Sequence, residues 1–526
     1  MDNENRQNDL PEEKKIPKDK FAFANVGEKL TDKKFDTKPI GYFRDAWIRF
    51  RKNKASVVAA IIILAIIIYA IFVPLFNFRY DATFMDTYYA KKGPRNLILR
   101  QIGIADGGMT RDFNERALIK EIAKGIAAED TDGSGATWEE GKESYYQPIL
   151  KIKNEYMQAG KTVYSAKIDT YLEVGFLYRS IQQSEYAEIV AWQEETGIQV
   201  LYPLIDTKNG YCYDATDASY WYKTDAKANP VTTKSGVDKT ISLDDGVQLE
   251  DNYKRDADGN VIYYEYTGGG DASTAQYKVR ILYYNYYRFV NGFEPEYIFG
   301  TDSQGYDLAL RLANGIKLSL LVAISVSLIN FLIGAIYGAV EGYYGGAIDL
   351  FMERIADILS GVPFIVVATL FQIHLAASWG PIPSLLFAFV LTGWIGTSSR
   401  VRTQFYRFKN QEYVMAARTL GARDRRIIWK HIFPNSLGTI ITSSVLVIPS
   451  VIFSESMLSF LGIINLGGAT MTSLGTLLSD ASSIWTNYPH LMIIPAIVIS
   501  LLMICFNLFG NGLRDAFNPS LRGVED

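Results

Sequence analysis

Apolar residues are concentrated in long uncharged stretches of the 526-residue chain, separated by polar segments. The first stretch runs from Ala55 to Phe78, and others cover 318–340, 358–399, 432–454 and 481–513. Crossing a bilayer takes about 20 consecutive apolar residues, which each stretch supplies. A fully buried core helix is also apolar on every side, but it is usually shorter and lacks charged flanks. The pattern therefore predicts an α-helical polytopic membrane protein.

A Gly-Pro break after Trp379 divides the longest stretch into two helices. The prediction is then six membrane-spanning helices, at 55–76, 318–340, 358–379, 382–399, 436–454 and 489–510. Segment 456–480 contains glycines and Asp480, so we expect a surface or re-entrant element and not a seventh span. A cleaved signal peptide is disfavoured, because a polar tail of more than fifty residues precedes the first span.

Basic residues near the ends of the spans set the predicted orientation. Five lysines and arginines lie at 44–54, directly before the first span, so the N-terminus is expected to be cytoplasmic. Six spans return the C-terminus to that side, together with segment 400–431, which has nine basic and two acidic residues. Loop 341–357 has four acidic residues and one arginine, which argues against this orientation. The prediction is a multi-pass plasma-membrane protein with cytoplasmic termini and residues 79–317 outside the cell.

Four regions follow from this topology. They are a cytoplasmic tail at 1–54, a spanning helix at 55–78, an extracellular insertion at 79–295 and a membrane domain at 296–526 that holds helices 2 to 6. Within the outer segment, residues 79–300 hold 25 of the 34 tyrosines and carry a net charge of −9, against −4 for the whole chain.

The insertion is expected to fold as an α+β domain. Residues 141–200 have helical character, whereas 261–266 and 277–290 are rich in tyrosine and β-branched residues, which is typical of strands. The many aromatic residues could form its core. Cys212 in this region and Cys505 in the last span are not predicted to form a disulfide.

Patterns that would indicate an enzyme are missing from the sequence. There is no Gly-x-x-x-x-Gly-Lys-Ser/Thr segment, no Gly-x-Ser-x-Gly segment and no pair of histidines at metal-ligand spacing. A net charge of −4 gives no reason to expect nucleic acid as a partner. Glu455, at the predicted outer end of the fifth span, has two interpretations: a contact with a transported substrate, or a carboxylate in headgroup water, which we prefer.

Segment 400–435 carries the most informative pattern. From Glu412 to Ala422 it runs Glu-Tyr-Val-Met-Ala-Ala-Arg-Thr-Leu-Gly-Ala. Helical spacing places four residues on one face, namely Tyr413, Ala416, Ala417 and Leu420. Gly421 is positioned to end this helix before Asp424. From the pattern alone, an amphipathic helix lying on anionic lipid remains an alternative.

This segment resembles the EAA loop of ABC importer permeases, whose pattern is Glu-Ala-Ala, three residues, Gly, nine residues, then Ile-x-Leu-Pro. The positions that match are Ala416, Ala417, Gly421 and Pro434. Three positions depart from it, with Met415 for Glu, His431 for Ile and Phe433 for Leu. The motif Glu-Tyr-Val-x-Ala-Ala-Arg-x-Leu-Gly-Ala, which this segment contains, is closer to the peptide-importer branch.

Other segments resemble the same branch in the same order. They are 45–54, 300–319 (with Tyr306 where arginine is usual), 342–349, 455–462 and 506–515. The chain therefore resembles the C-type permease subunit of an oligopeptide or dipeptide ABC importer. The resemblance does not extend to 79–295, where ordinary members have a short loop.

The resemblance implies a transport subunit without enzyme activity or cofactors of its own. Its expected partners are a B-type permease subunit, two cytoplasmic ABC ATPases that bind ATP and Mg²⁺, an extracellular peptide-binding protein, the peptide and membrane lipid. The implied coupling residues are Glu412, Tyr413, Ala416, Ala417, Arg418, Leu420, Gly421, Ala422, Asp424 and Pro434. A membrane receptor with an extracellular ligand-binding domain and a permease for another solute, such as a metal chelate, remain alternatives.

The resemblance gives no role to the insertion. One hypothesis is that it docks the binding protein or covers the entrance of the pathway, because tyrosine is favoured at interfaces. The other is that it shields the permease or contacts the outer face of the partner permease. The sequence leaves both open.

Overall fold

The computed structural model describes residues 42–76, 80–81, 83–129, 146–205, 211–213, 220–223, 240–242, 253–269, 274–468 and 471–517. The predicted tail before residue 42 and the side chain of Cys212 lie outside the described residues. The helices are α1 (Tyr42–Lys52), α2 (Lys54–Phe76), α3 (Glu115–Ala128), α4 (Gln183–Thr196), α5 (Tyr283–Asn291), α6 (Leu308–Tyr344), α7 (Gly346–Ser360), α8 (Phe364–Trp379), α9 (Pro381–Gly393), α10 (Ile395–Phe408), α11 (Glu412–Thr419), α12 (Asp424–Arg426), α13 (Phe433–Val445), α14 (Val447–Phe460), α15 (Leu474–Ala481) and α16 (Pro489–Phe517). The strands are β1 (Gly108–Asn114), β2 (Ile149–Gln158), β3 (Lys161–Asp169), β4 (Phe176–Gln182), β5 (Leu201–Tyr202), β6 (Tyr211–Tyr213), β7 (Tyr220–Lys223), β8 (Thr240–Ser242), β9 (Tyr264–Gly268) and β10 (Gln276–Leu282).

Five helical segments of the described chain are long and apolar enough to cross a membrane. They are Lys54–Phe76, Leu308–Tyr344, Pro381–Phe408, Asp424–Phe460 and Pro489–Phe517. A sixth candidate is the pair α7 and α8, which is bent by 72°. The helical polytopic fold is therefore confirmed, with five or six spans. Segment 456–480 contains the end of α14 and the short helix α15, and neither adds a span.

The predicted span 358–379 is wrong in its first residues, because it crosses the break between α7 and α8 at 361–363. Pro363 has no N–H and disfavours the helical conformation of the residue before it, so the helix restarts only at Phe364. The 16 residues of α8 rise about 24 Å, less than a hydrocarbon core of about 30 Å. Crossing the membrane here requires residues from both sides of the bend.

Helix α6 begins ten residues before the predicted start at 318. Asp307 caps it, since its carboxylate accepts a hydrogen bond from the Ala309 N–H at 2.9 Å. Its 37 residues rise about 55 Å, so its ends project beyond a bilayer. Three glycines spaced four apart let α10 approach it closely; a Cβ on any of them would meet the α10 backbone or side chains. They are Gly334, Gly338 and Gly342.

Helix α1, within the predicted tail, packs against the last span. The ring of Phe50 lies edge-on to that of Phe509, with centroids 5.5 Å apart. The hydroxyl of Ser56, at the start of α2, donates to the Leu508 carbonyl at 2.9 Å. The first and last spans are therefore held together at one end.

Within the insertion, helices and antiparallel sheets are combined, as expected for an α+β domain. The sheet orders are β1-β3-β2, β4-β10-β5 with β9 on β10, and β6-β7-β8. The helical prediction for 141–200 is wrong outside α4, because β2, β3 and β4 occupy most of it. Nearly every residue of β2 is exposed, so the sequence has no alternation of buried and exposed residues to reveal that strand.

The predicted strand 277–290 is correct only in its first half. Strand β10 ends at Leu282, and α5 follows with four tyrosines at helical spacing, all buried. They join other tyrosines in an aromatic core that comprises Tyr80, Tyr89, Tyr171, Tyr283, Tyr284, Tyr286, Tyr287 and Tyr297. The predicted aromatic core is confirmed, which weakens the interpretation of the tyrosines as an interface.

The two ends of the insertion pair with each other in a neck, formed by residues 80–81, 83–97 and 294–307. The Arg95 N–H donates to the Tyr297 carbonyl at 2.8 Å, and the Lys92 N–H donates to the Thr301 hydroxyl at 2.8 Å. The Tyr80 hydroxyl donates to the Glu296 carbonyl at 3.0 Å. The neck brings together the segment that follows α2 and the segment that precedes α6, so the two ends of the insertion lie side by side.

Candidate functional site

Helix α11 ends in a left-handed turn at Gly421. The Gly421 N–H donates to the Arg418 carbonyl and the Ala422 N–H donates to the Ala417 carbonyl, both at 3.0 Å. This pair of bonds is the Schellman motif, which requires a positive φ at the residue after the cap. Gly421 has φ +81°, a value that residues with a Cβ rarely adopt. The predicted end of the helix is confirmed, and its physical cause is backbone conformation.

Around this turn, α11 presents a face that the described residues leave uncovered. The Leu420 side chain is 88% exposed, and a Cβ on Gly421 would meet no atom within 4 Å. Ala416 and Met415 are also exposed, while Ala417 is half-buried. Met415, Ala416 and Leu420 together make this end of α11 an exposed apolar surface, and such groups of residues can mark a contact site.

The opposite side of α11 is fixed to the membrane helices. Val414 of α11 is buried together with three isoleucines of the π-helical turn at Ile427–Ile432, which are Ile427, Ile428 and Ile432. They pack on α6 and α10 against residues that include Ala339, Tyr343, Val401 and Phe405. Burial of this one side explains how an eight-residue helix keeps a fixed position.

Two polar contacts tie the same segment to α6. The Tyr343 hydroxyl donates to Asp424 Oδ1 at 2.6 Å. The Arg418 guanidinium lies 5.8 Å from the centroid of the Tyr343 ring, and its Nη2 donates to the Tyr343 hydroxyl at 3.4 Å. Of the residues named in the sequence pattern, Arg418 and Asp424 therefore contact Tyr343 of α6, whereas the side chain of Leu420 is exposed.

Pro434 lies in the first turn of α13, directly after a wide π-helical turn at Ile427–Ile432. Because proline has no N–H, it cannot complete the regular hydrogen-bond ladder at this point. Asn435 donates to the His431 carbonyl at 2.7 Å within the same turn. Pro434 therefore lies inside the candidate span Asp424–Phe460, ten residues after its first residue.

Arg402 of α10 forms an ion-pair cluster with carboxylates of α6 and α7. Its guanidinium donates to both Asp349 oxygens, at 2.6 and 2.8 Å, and to both Glu353 oxygens, at 2.9 and 3.2 Å. Glu341 lies 3.6 Å from Arg402 Nε, and the Tyr406 hydroxyl donates to Asp349 at 2.6 Å. Bidentate pairs of this kind are among the stronger charged contacts. The cluster joins α6, α7 and α10.

This cluster reduces the net negative charge around the acidic loop 341–357, which argued against the predicted orientation. Three of its four acidic residues face Arg402, and the fourth, Asp357, pairs with Arg354 at 3.1 Å. Arg402, more than forty positions away in sequence, offsets one of these three negative charges. A count of charges loop by loop could not include that pairing.

Glu455 is 1% exposed, so the preferred interpretation as a carboxylate in headgroup water is wrong. It accepts hydrogen bonds from the Ser319 hydroxyl at 3.0 Å and the Ser459 hydroxyl at 3.2 Å. Ser319 in turn accepts from the Leu474 N–H of α15 at 3.3 Å. The carboxylate joins α6, α14 and α15, and its proximity to a pathway stays a prediction.

A polar cavity of about 480 Å³ lies between α10, α13, α14 and α16, and the sequence patterns did not reveal it. Its lining includes three hydroxyl residues on one helical face, Thr439, Ser443 and Ser450, and the guanidinium-bearing residues Arg400 and Arg514. Hydroxyls spaced four and seven positions apart in an apolar segment are the sequence pattern that could have identified it.

The family comparison agrees with this arrangement of helices. The family profile described as "Binding-protein-dependent transport system inner membrane component" matches residues 331–523, and that of the "N-terminal TM domain of oligopeptide transport permease C" matches 41–94. The "Oligopeptide transport system permease protein OppC" of Bacillus subtilis is 40% identical over 225 residues, 43% of this chain and 72% of that protein. The chain belongs to this permease family.

Other relatives resemble the permease to a similar degree. The Bacillus subtilis "Dipeptide transport system permease protein DppC" is 42% identical over 226 residues, 43% of this chain and 69% of that protein. OppC of Haemophilus influenzae is 43% identical over 231 residues, 44% of this chain and 72% of that protein. The MetNI methionine ABC transporter, solved in inward-facing conformations, has a TM-score of 0.33 at 16% identity, covering 40% of this chain and 96% of the solved chain.

The two profiles leave residues 95–330 of the permease unmatched. Of the described elements, the unmatched region contains the ten strands, the helices α3 to α5 and the first 23 residues of α6. The strands and α3 to α5 thus lie outside both profile matches.

Proposed function

We propose that this permease is one of two membrane subunits of an ATP-driven importer of oligopeptides or dipeptides. The family profiles, and relatives at 40–43% identity that are oligopeptide or dipeptide transport permeases, support this substrate class. In this proposal a B-type permease completes the pathway, two cytoplasmic ABC ATPases bind ATP and Mg²⁺, and an extracellular binding protein delivers the peptide.

The proposal rests chiefly on α11, which we assign as the contact with one ATPase. Its exposed end at Leu420 and Gly421 is available to a groove on that partner, whereas its buried side is held by α6 and α10. A displacement of α11 would therefore displace those spans. For ATP to drive transport, each nucleotide state of the ATPase must bind one conformation of the permease better than the other.

The orientation proposed for the permease places α11 and both termini in the cytoplasm and the insertion outside the cell. The basic residues of 400–431 support it. The acidic residues at 341–357 weigh less against it, because Arg402 and Arg354 offset two of their four negative charges.

We assign the cavity lined by Arg400 and Arg514 to the translocation pathway. Charged and hydroxyl side chains on spanning helices are costly to expose to lipid, so this surface suits a water-filled space shared with a second subunit. The guanidinium groups would suit the carboxylates of a peptide.

The closed neck supports a role of the insertion above the entrance of the pathway, either docking the binding protein or covering the entrance. A shield that contacts the partner permease remains the alternative. The buried tyrosines favour neither hypothesis, since they form the core of the insertion.

Cross-linking tests the role of α11. In the assembled transporter without native cysteines, Leu420→Cys is expected to cross-link to an ATPase subunit, and the yield is expected to change between the nucleotide-free and ATP-bound states. Met157→Cys, which is also highly exposed but lies in the insertion, is the control and is expected to give no such product. Absence of a Leu420→Cys product in an assembly that hydrolyses ATP and imports peptide would contradict the proposal.

A further inference from the structure

The insertion carries an exposed apolar loop near the end of α2, which we define as residues 96–105. Between Leu97 and Ile104 its only charged residue is Arg100. Four aliphatic side chains are exposed, with exposed fractions of 77%, 42%, 69% and 58% for Ile98, Leu99, Ile102 and Ile104. Isolated exposed aliphatic residues are common, but four in one short loop mark an interaction surface.

The apolar loop is ordered by its own hydrogen bonds. The Asn96 N–H donates to the Ala105 carbonyl at 2.8 Å and closes the loop. The Asn96 side chain accepts from the N–H groups of Ile98 and Leu99, both at 3.0 Å. Gly103 then takes a left-handed conformation with φ +75°. The exposed side chains are thus presented on a defined backbone.

Contacts with the neck fix the position of the apolar loop relative to the membrane. The Leu97 N–H donates to Glu296 Oε1 at 3.2 Å, and Arg100 pairs with Glu294 at 3.2 Å. Glu296 also accepts from Tyr80, which follows the last residue of α2 by four positions. Four residues span at most about 14 Å, so the loop lies close to the membrane boundary at this end of α2.

Exposed apolar surface continues from α2 to this point. A groove of about 490 Å³ is lined by Phe72 and Phe76 of α2 together with Tyr80, Glu296 and Ile298. Phe76 and Ile298 are both more than half exposed. The exposed last turns of α2 and the neck beside the apolar loop thus line one groove, whose charged lining residues are Glu296 and Asp307.

We infer that the apolar loop inserts into the headgroup and acyl boundary of the lipid bilayer beside α2 and anchors the insertion to the membrane surface. Four side chains expose roughly a few hundred Å², less than the ~800 Å² per partner of a stable protein interface. The charge of Arg100 is paired with Glu294, so insertion would depend on apolar contact and not on anionic lipid. This inference goes beyond the proposed function and needs only that α2 spans the membrane.

Spin labels on the full-length permease in phosphatidylcholine vesicles test the inference. With Cys212→Ser and Cys505→Ala as background, labels at Ile102→Cys and Ile98→Cys are expected to collide with oxygen several-fold more often, relative to a water-soluble nickel chelate, than a label at Met157→Cys. Met157 is the matched control because its exposed fraction equals that of Ile102, 69%. The ratio is expected to be the same at low and high salt.

Two results would overturn the inference. One is a collision ratio at Ile102→Cys and Ile98→Cys equal to that at Met157→Cys, which would put the loop in water. The other is a label exposed to the nickel chelate in the isolated permease and shielded from both reagents only in the assembled transporter, which would assign the surface to a partner subunit.

Discussion

Substitution of Gly421 can separate two explanations of why the end of α11 is important. At φ +81° a residue with a Cβ costs roughly 1–2 kcal/mol, so alanine is expected to weaken the end of the helix. Asparagine and aspartate adopt this conformation more readily, so their backbone cost is smaller. Space does not limit any of them, since a Cβ at this position meets no atom of the described chain within 4 Å. Backbone strain therefore ranks alanine as the most harmful substitution.

Contact with an ATPase predicts the reverse order. The alanine methyl adds little volume to the exposed surface, whereas asparagine adds a larger polar group and aspartate adds a charge near the helix C-terminus, which itself costs about 0.3–1 kcal/mol. We expect ATP-driven peptide uptake into proteoliposomes to be reduced modestly in Gly421→Ala, strongly in Gly421→Asn and completely in Gly421→Asp. All three proteins are expected to remain in the membrane in wild-type amounts.

The two rankings make the result decisive. ATPase activity and uptake are measured on the same assemblies, and wild-type uptake by Gly421→Asp would refute the assignment of α11. Uptake that is lower in Gly421→Ala than in Gly421→Asn would show that only the backbone conformation matters, and would contradict a contact at this surface.

Three further predictions concern the base of α11 and the insertion. Arg402→Met leaves the Asp349 and Glu353 carboxylates without their guanidinium partner, so the free energy of unfolding is expected to fall by about 2 kcal/mol. Arg402→Lys keeps the positive charge and is expected to lose less stability. An unchanged melting temperature of Arg402→Met in thermal unfolding would contradict the role of the cluster. Burial lowers the pKa of Lys92 below its usual value, so the folded state gains stability as the pH rises through that lowered pKa. Lys92→Met is therefore expected to have a higher free energy of unfolding than wild type at pH 7. The difference in unfolding free energy between the two proteins is expected to narrow as the pH approaches the usual lysine pKa, and a difference that stays constant with pH would refute this explanation. A deletion of 98–293, in which a Gly-Gly linker joins Leu97 to Glu294, keeps both segments of the neck. This variant is expected to enter the membrane normally but to bind the binding protein and import peptide less well. Unchanged docking and uptake would refute the docking hypothesis.

The parts of the fold that the sequence predicted are those with a local physical cause. Helix α2 is uniformly apolar and matches its predicted span closely. The end of α11 was predicted because only glycine readily adopts the conformation at position 421. The aromatic core of the insertion was likewise expected from its tyrosine content.

Errors arose where the structure depends on distant partners. Strand β2 is exposed along most of its length, so its pairing with β3 leaves no periodic pattern in the sequence. Arg402 was missed because its carboxylate partners lie on other helices. The glycines at every fourth position of α6 were a usable indication of its close packing on α10, since small residues at this spacing let membrane helices approach each other.

The anchoring of α11 is strong enough to transmit the free energy that coupling requires. Allosteric coupling between sites typically amounts to about 1–3 kcal/mol. Each buried aliphatic side chain contributes about 1.5–3 kcal/mol relative to exposure. Val414 of α11 and three isoleucines of the π-helical turn that follows, Ile427, Ile428 and Ile432, are buried in one cluster with residues of α6 and α10. Detaching α11 and this turn together from α6 and α10 would thus cost more than the work that coupling requires. When an ATPase displaces the exposed end at Leu420, the spans are therefore expected to move with the helix, and local unfolding of the segment would be the more costly response.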